Sequence, residues 1–211
     1  MDCSGSLSLI LAFCFVCSGC GAKTETDETK ADTAADTAAD TAADAAHQFV
    51  RFTMENGGTF KIELYPEYAP KTVENFVKLV SEGFYDGLTF HRVVDGFMAQ
   101  GGDPALSGRS EADSIYGEFA SNGFAQNTLH HGRGVISMAR TTVPDSASSQ
   151  FFICYADAYS LDGNYAAFGQ VIEGMETVDD FLNVERTINS IGELATPVTP
   201  IVIAHAEVVE G

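Results

Sequence analysis

Tryptophan is absent from the 211 residues, and basic side chains are scarce, with 11 Lys and Arg against 30 Asp and Glu. The resulting net charge of -19 repels a polyanion, so nucleic acid is excluded as a partner. Eight of the acids and two of the bases fall in residues 1–47, which leaves the body of the chain acidic as well. Cysteine is nearly missing from that body. Cys3, Cys14, Cys17 and Cys20 crowd the start, and Cys154 stands alone. Neither a disulfide framework nor a cysteine zinc site can be assembled there, and no metal or other cofactor is expected. Cys154, beside Ile153, reads as a small buried hydrophobe. No segment beyond the first 20 residues is long and apolar enough for a transmembrane helix. What is plentiful is apolar: 45% hydrophobic residues and 15 phenylalanines give one sizeable domain a real core.

The run LSLILAFCFV at 7–16 has the length of a signal-peptide core and is too short to span a bilayer. It leads into Cys17-Ser18-Gly19-Cys20. Small residues directly before a cysteine resemble the bacterial lipoprotein processing site. That resemblance implies that Cys20 is lipidated and kept, which makes the protein extracytoplasmic and membrane-anchored, at the periplasmic face or the outer membrane. Two positions depart from the pattern: Cys17 stands where it prefers Leu, and Asp2 where a base is usual. ADTA then recurs at 31–34, 35–38 and 39–42, followed by ADAA at 43–46. With no aromatic or branched aliphatic side chain to bury, residues 21–47 are expected to be a disordered spacer. The chain thus divides into a signal segment (1–20), a linker (21–47) and a domain (48–211).

Within the domain, β-forming stretches at 48–53 and 58–64 flank Asn56-Gly57-Gly58, a strong hairpin signal. Residues 72–80 place Val73, Phe76, Val77 and Val80 on one helical face, and Gly83 follows as a stop. Short strands are expected at 88–94, 97–101, 134–139, 150–155, 166–171 and 198–209, with a second helix near 176–182. Many short strands and two helices predict a mainly β fold, an antiparallel sheet closed or nearly closed into a barrel.

The sequence FHRVVDGFMAQGGD at 90–103 mixes a cation and an amide with apolar anchors, a composition suited to a shallow apolar groove with a few directed donors. Taken singly, Phe97, Met98 and Phe152 read as core, Arg92 as a surface ion-pair partner, and His91 as structural. His130-His131 reads as part of a solvated loop rather than a metal pair or general base. Asp95-Gly96 reads as a tight turn, and 103–116 as a surface loop.

Together with EFASNGF at 118–124, GVISMAR at 134–140, SSQFFI at 148–153 and LDGNYAAFGQVIEGM at 161–175, this stretch resembles the cyclophilins over nearly the whole domain. The resemblance implies a closed eight-stranded antiparallel β-barrel capped by two α-helices, and peptidyl-prolyl cis–trans isomerase activity. Arg92 is then the catalytic residue. Phe97, Met98, Phe152 and Leu161 line the proline pocket, and Gln100 contacts the substrate backbone. Ala139, Arg140 and Thr141 border the neighbouring groove, and Tyr165 closes the pocket. Arg140, Ser160 and Tyr165 stand where the eukaryotic pattern has Asn, Trp and His. The missing Trp removes the residue against which cyclosporin packs in that pattern, while Arg140 and Tyr165 resemble bacterial members.

The implied partners are proline-containing unfolded or partly folded polypeptides, together with a membrane through the anchor. The default state is a monomer. A different class of function, a module that holds proline segments as a chaperone with incidental catalysis, requires the same groove.

Overall fold

The computed structural model describes residues 46–211. The signal segment, Cys20 and the ADTA repeats lie outside the described residues. No helix among those described is long and apolar enough to cross a membrane.

Chain alternation builds the barrel. In β1 (Gln48–Met54), Val50, Phe52 and Met54 point inward, and in β2 (Thr59–Leu64) Phe60, Ile62 and Leu64 do the same. The turn between them closes with Gly57 at φ 84° and the Asn56 side chain accepting from the Gly58 N–H at 2.9 Å. The further strands are β3 (Thr89–Val94), β4 (Met98–Gly101), β5 (Val135–Met138), β6 (Phe151–Cys154), β7 (Ala167–Glu173), β8 (Arg186–Ile188), β9 (Leu194–Pro197) and β10 (Ile201–Val209). Eight of the ten close into an antiparallel barrel in the order β1-β10-β3-β4-β6-β5-β7-β2, the expected architecture. The other two, β8 and β9, form a separate hairpin that the sequence pattern had not revealed.

Phenylalanine fills the interior. Phe52 and Phe60 stack in parallel at 5.0 Å, and Phe151 meets Phe76 and Phe90 edge-on at 5.6 Å. Offset and edge-to-face contacts of this kind add to the burial of apolar area. Without tryptophan, a set of smaller rings does this work.

Helix α1 (Pro70–Ser81) buries Thr72, Val73, Phe76, Leu79 and Val80. Leu79 thus takes the place expected for Val77, which is only half-buried, because the contact stripe is centred slightly further round the helix. Pro70 suits the first turn, as its missing N–H has no intrahelical partner to lose. Ala69 precedes it and has no side chain to cap the exposed N–H groups. The cap comes from far along the chain. Glu118, 1% exposed, accepts from the Lys71 N–H at 2.9 Å, the Thr72 N–H at 2.8 Å and the Thr72 hydroxyl at 2.7 Å. Burial pushes the Glu118 carboxyl above its usual range, against the opposing pull of these bonds.

Helix α2 (Met175–Asp179) runs into a 3-10 turn at Asp180–Asn183, matching the second expected helix. It starts at Gly174, φ 74°, where a Cβ would lie 2.2 Å from the Thr59 carbonyl oxygen, so no larger residue fits. Phe181 then packs on Phe90 at 4.8 Å and seals that end of the barrel.

Candidate active site

A β-bulge creates the site. Phe90 pairs with Gly101 and Arg92 with Gln100, so His91 is an extra residue in β3. Strict alternation would put Phe90 and Arg92 on one face. With the bulge, Phe90 turns into the core, 1% exposed, while Arg92 is free to line a surface pocket. From there the pairing Arg92–Gln100–Phe152–Ser137 crosses β3, β4, β6 and β5 as one row. Residues far apart in sequence are therefore neighbours by register.

Met98, Phe152 and Cys154 form a small apolar cluster distinct from the barrel core, with Phe97, Ala139, Leu161 and Tyr165 packed against it. Above it lies a pocket of about 240 Å³ lined by Arg92, Phe97, Gln100, Ala139, Arg140, Phe152, Leu161 and Tyr165. Met98, 2% exposed, belongs to the floor and not to the lining. Thr141 faces an adjoining depression of about 150 Å³ with Ser146, Ser148 and Gln150, which also touches Gln100, Ala139 and Arg140. The ten residues singled out from sequence are thus gathered in and around one hollow. A larger cleft of about 390 Å³, between the β1–β2 turn and the start of β10, has Glu55 and Asp180 but no cation in its lining. Its side-chain donors, Asn56 and Thr199, are neutral, so it offers no charged donor for an amide.

The Arg92 guanidinium is held on two sides. Nε and Nη2 donate to the Glu193 carboxylate at 2.9 and 2.8 Å, and Nη1 donates to the Gln100 side-chain oxygen at 3.3 Å. Gln100 is oriented in turn, its amide donating to Gln150 at 3.0 Å. The Arg92 hydrogen bonds, with help from Asn189, hold the Glu193 carboxyl below its usual range. Across the pocket, Arg140 is sandwiched between the Phe119 and Tyr165 rings, 4.8 and 4.6 Å from their centroids. It also donates to the Asn164 carbonyl through Nε and Nη2. Arg140 therefore fastens the Tyr165 segment besides edging the groove.

Of the pair expected in a solvated loop, His130 fits and His131 does not. His130 is exposed, but the His131 side chain is only 1% exposed. Asp162 meets both, one oxygen lying 2.7 Å from His130 Nδ1 and the other 2.8 Å from His131 Nδ1 while accepting from the His131 backbone N–H at 2.8 Å. On the other side His131 Nε2 lies 3.0 Å from the Ser137 hydroxyl. The order Ser–His–Asp has the look of a hydrolytic triad, yet Ser137 is fully buried and no substrate can reach it. The His131 ring instead stacks behind Phe152 at 6.0 Å, and Tyr165 abuts Phe152 edge-on at 5.9 Å. Among the described residues, no cluster of His, Cys, Asp or Glu could hold a metal ion.

Burial lowers the His131 pKa from 6.5, outweighing the pull of Asp162. The ring is then neutral at pH 7, with Nδ1–H donating to Asp162 and Nε2 accepting from Ser137. As pH falls below 6.5, the unfolded chain takes up this proton before the folded one does. The His131 contribution to stability is therefore fully present above that value and is lost as pH drops through the folded pKa. The gap between denaturation midpoints at about pH 5 and about pH 7.5 is expected to be smaller in His131→Asn than in the wild type. An unchanged gap would rule out His131 as a source of acid sensitivity.

Glu193, Asn189 and Gln150 carry no mark in the local sequence pattern. For the first two the nearest local feature is the single Gly192 after Thr187-Ile188, too weak by itself to mark a hairpin.

Comparison with known proteins agrees with this architecture. Residues 49–208 match the family described as cyclophilin type peptidyl-prolyl cis-trans isomerase/CLD. A peptidyl-prolyl cis-trans isomerase of Schizosaccharomyces pombe is 42% identical over 149 residues, covering 71% of this chain and 92% of the relative. Human peptidyl-prolyl cis-trans isomerase-like 3 is 44% identical over 123 residues, 58% of this chain and 75% of that protein. The isomerase-like 2 protein of Gibberella zeae is 43% identical over 141 residues, but the match spans only 24% of its length. The crystal structure of a cyclophilin type isomerase from Cryptosporidium parvum superposes with TM-score 0.66 at 29% identity, covering 79% of this chain and 99% of that one. The same protein solved in the presence of the dipeptide Ala-Pro gives TM-score 0.65 at 30% identity, with 78% and 100% covered. The family match takes in the barrel strands and the whole pocket, and the chain belongs to the cyclophilin-type peptidyl-prolyl cis–trans isomerases.

Proposed function

We propose that this isomerase acts on X–Pro bonds of unfolded or partly folded proteins outside the cytoplasm, and that Arg92 is the group that accelerates rotation. The observation that carries the assignment is a guanidinium fixed at the rim of an apolar pocket large enough for a proline ring. Rotation of the amide loses resonance over a barrier of about 18–20 kcal/mol. No nucleophile is needed; the protein has only to bind the twisted amide better than the planar one. As the bond twists, the prolyl nitrogen becomes pyramidal and regains a lone pair. A fixed N–H donor beside it gains a partner that it lacks in the planar state.

Phe97, Phe152 and Leu161 give the ring an apolar seat, while Tyr165 closes one side and Gln100 offers an amide to the flanking backbone. Thr141 and its depression take the neighbouring residue of the chain. The Ala-Pro dipeptide used with the Cryptosporidium parvum protein is the same chemistry in its smallest form.

The placement outside the cytoplasm rests on the apolar run at 7–16 and on Cys20, with the acidic repeat as a spacer between membrane and barrel. Two measurements test the reading. The full chain should speed cis–trans exchange of a short Ala-Pro peptide, and expression in a bacterial host should put it in the membrane fraction with a lipidated N-terminal Cys20. Replacing Cys20 by Ser should release it. An inactive protein would defeat the assignment of the site, and an unmodified N-terminus in the soluble fraction would defeat the anchor.

A further inference from the structure

We propose that Glu193 is a positioning residue that holds the Arg92 guanidinium in its working orientation. It is carried by the β8–β9 hairpin, which stands outside the barrel order. The inference rests on the reading of Arg92 as the donor to the prolyl nitrogen.

Arginine has a long side chain with several rotatable bonds and no preferred direction of its own at a surface. Left alone, the Arg92 guanidinium would sample many positions over an open pocket. The Glu193 carboxylate engages Nε and Nη2 side-on, at 2.9 and 2.8 Å, the two-point match that planar groups make best. Gln100 takes a third donor at 3.3 Å. Of the five N–H groups of a guanidinium, roughly two then remain, one on each Nη. The head group is fixed by an acid on one edge and an amide on the other, and it keeps donors to spare.

The carboxylate is itself anchored. The Glu193 N–H donates to the Asn189 side-chain oxygen at 2.9 Å, the Asn189 side-chain amide donates to the Glu193 carboxylate at 3.1 Å, and the Asn189 N–H donates to the Glu193 carbonyl at 2.8 Å. Gly192, at φ 87°, lets the loop close around these bonds. The hairpin is tied to the strand that carries Arg92, since Arg186 Nη1 donates to the Val93 carbonyl at 3.2 Å. Ala195, two residues beyond Glu193, is fully buried. A rigid turn thus sets the carboxylate against the guanidinium, and its anchorage is on β3 itself.

A carboxylate could also do harm, because its negative charge offsets part of the field that Arg92 applies. Magnitudes decide the sign. The two side chains are 27% and 31% exposed, so water screens their charges substantially. A misplaced catalytic group is costlier: displacement by about 1 Å can lower a rate roughly 100-fold. Orientation therefore outweighs neutralisation, and removing Glu193 slows the enzyme.

The test compares the full chain with Glu193→Ala, Glu193→Gln and Arg92→Ala on one Ala-Pro peptide, by NMR exchange at several peptide concentrations. Glu193→Ala is expected to lower kcat about 10-fold with KM within about twofold, since Glu193 touches Arg92 and does not line the pocket. Glu193→Gln keeps the shape and one acceptor, and should fall between. In the wild type the Arg92 Nε–H resonance should be sharp and slow to exchange with water, and in both Glu193 variants it should broaden or vanish. Should alanine loosen the hairpin, the isosteric glutamine decides alone. A kcat in Glu193→Gln equal to or above the wild type, beside an Arg92→Ala variant that is inactive, overturns the positioning role. An Arg92→Ala variant as active as the wild type overturns instead the assignment of Arg92 on which that role depends.

Discussion

Replacing Arg92 by alanine is expected to lower kcat/KM for an X–Pro peptide by roughly 10²–10³-fold, the usual loss when one preorganised donor to developing charge is removed. The barrel should survive. Arg92 is part of a partly exposed pair on the outer face, and loss of such a pair costs about 1 kcal/mol or less. Its neighbours Gln100 and Glu193 keep their other partners in Gln150 and Asn189. Circular dichroism and the melting curve should therefore match the wild type closely while exchange of the peptide slows nearly to the uncatalysed rate. Arg92→Lys retains the charge without the planar fork, and should recover only part of the activity. A collapsed melting temperature would show that the loss came through folding, and an unchanged rate would remove Arg92 from the mechanism.

Glu118→Ala acts on stability instead. It withdraws three hydrogen bonds at once from the start of α1 and leaves the Thr72 N–H, sealed from water, without a partner. A negative charge at a helix N-terminus is also favoured by the aligned peptide dipoles, and that term disappears too. Removing one side of a buried charge-assisted set costs about 3–4 kcal/mol. For a domain of this size that is a fall in Tm of about 10 °C. Glu118→Gln presents one oxygen and one N–H₂ where two oxygens are needed, so it should lie between. The contrast with Arg92→Ala separates two kinds of buried or half-buried charge: one whose removal slows the reaction and one whose removal weakens the fold. A Glu118→Ala variant within about 1 kcal/mol of the wild type would mean that water or a relaxed backbone replaces the cap.

How much of this was legible in the chain follows from the range of the interactions. The β1–β2 hairpin, α1 and the barrel strands have local causes, alternation and turn residues, and emerge within a residue or three of their observed limits. The pocket residues were legible through motif resemblance, because several separate stretches agree at once. Three features were not. The bulge at His91 has no signature in a period-two pattern; alternation alone puts Phe90 and Arg92 on the same face. The cap on α1 comes from Glu118, 46 residues after Thr72, which no local rule connects to a helix start. The β8–β9 hairpin is short, with strands of three and four residues, and its large apolar residues Ile188 and Leu194 are 70% and 57% exposed while small Ala195 is the buried one, so its apolar pattern does not mark an inward face. His131 was misjudged for the same reason: its partner Asp162 lies 31 residues on, and only the folded chain brings them together.

The closed order of the barrel bears on the company this protein keeps. Unfolded chains recruit whatever open strand they meet, because an unpaired row of N–H and C=O groups is a template for further pairing. Here all eight barrel strands have a partner on each side, and the remaining two are a short hairpin bound at Arg186 to β3. In the proposed role on unfolded polypeptides, the isomerase would present its substrates with no open barrel strand to pair with.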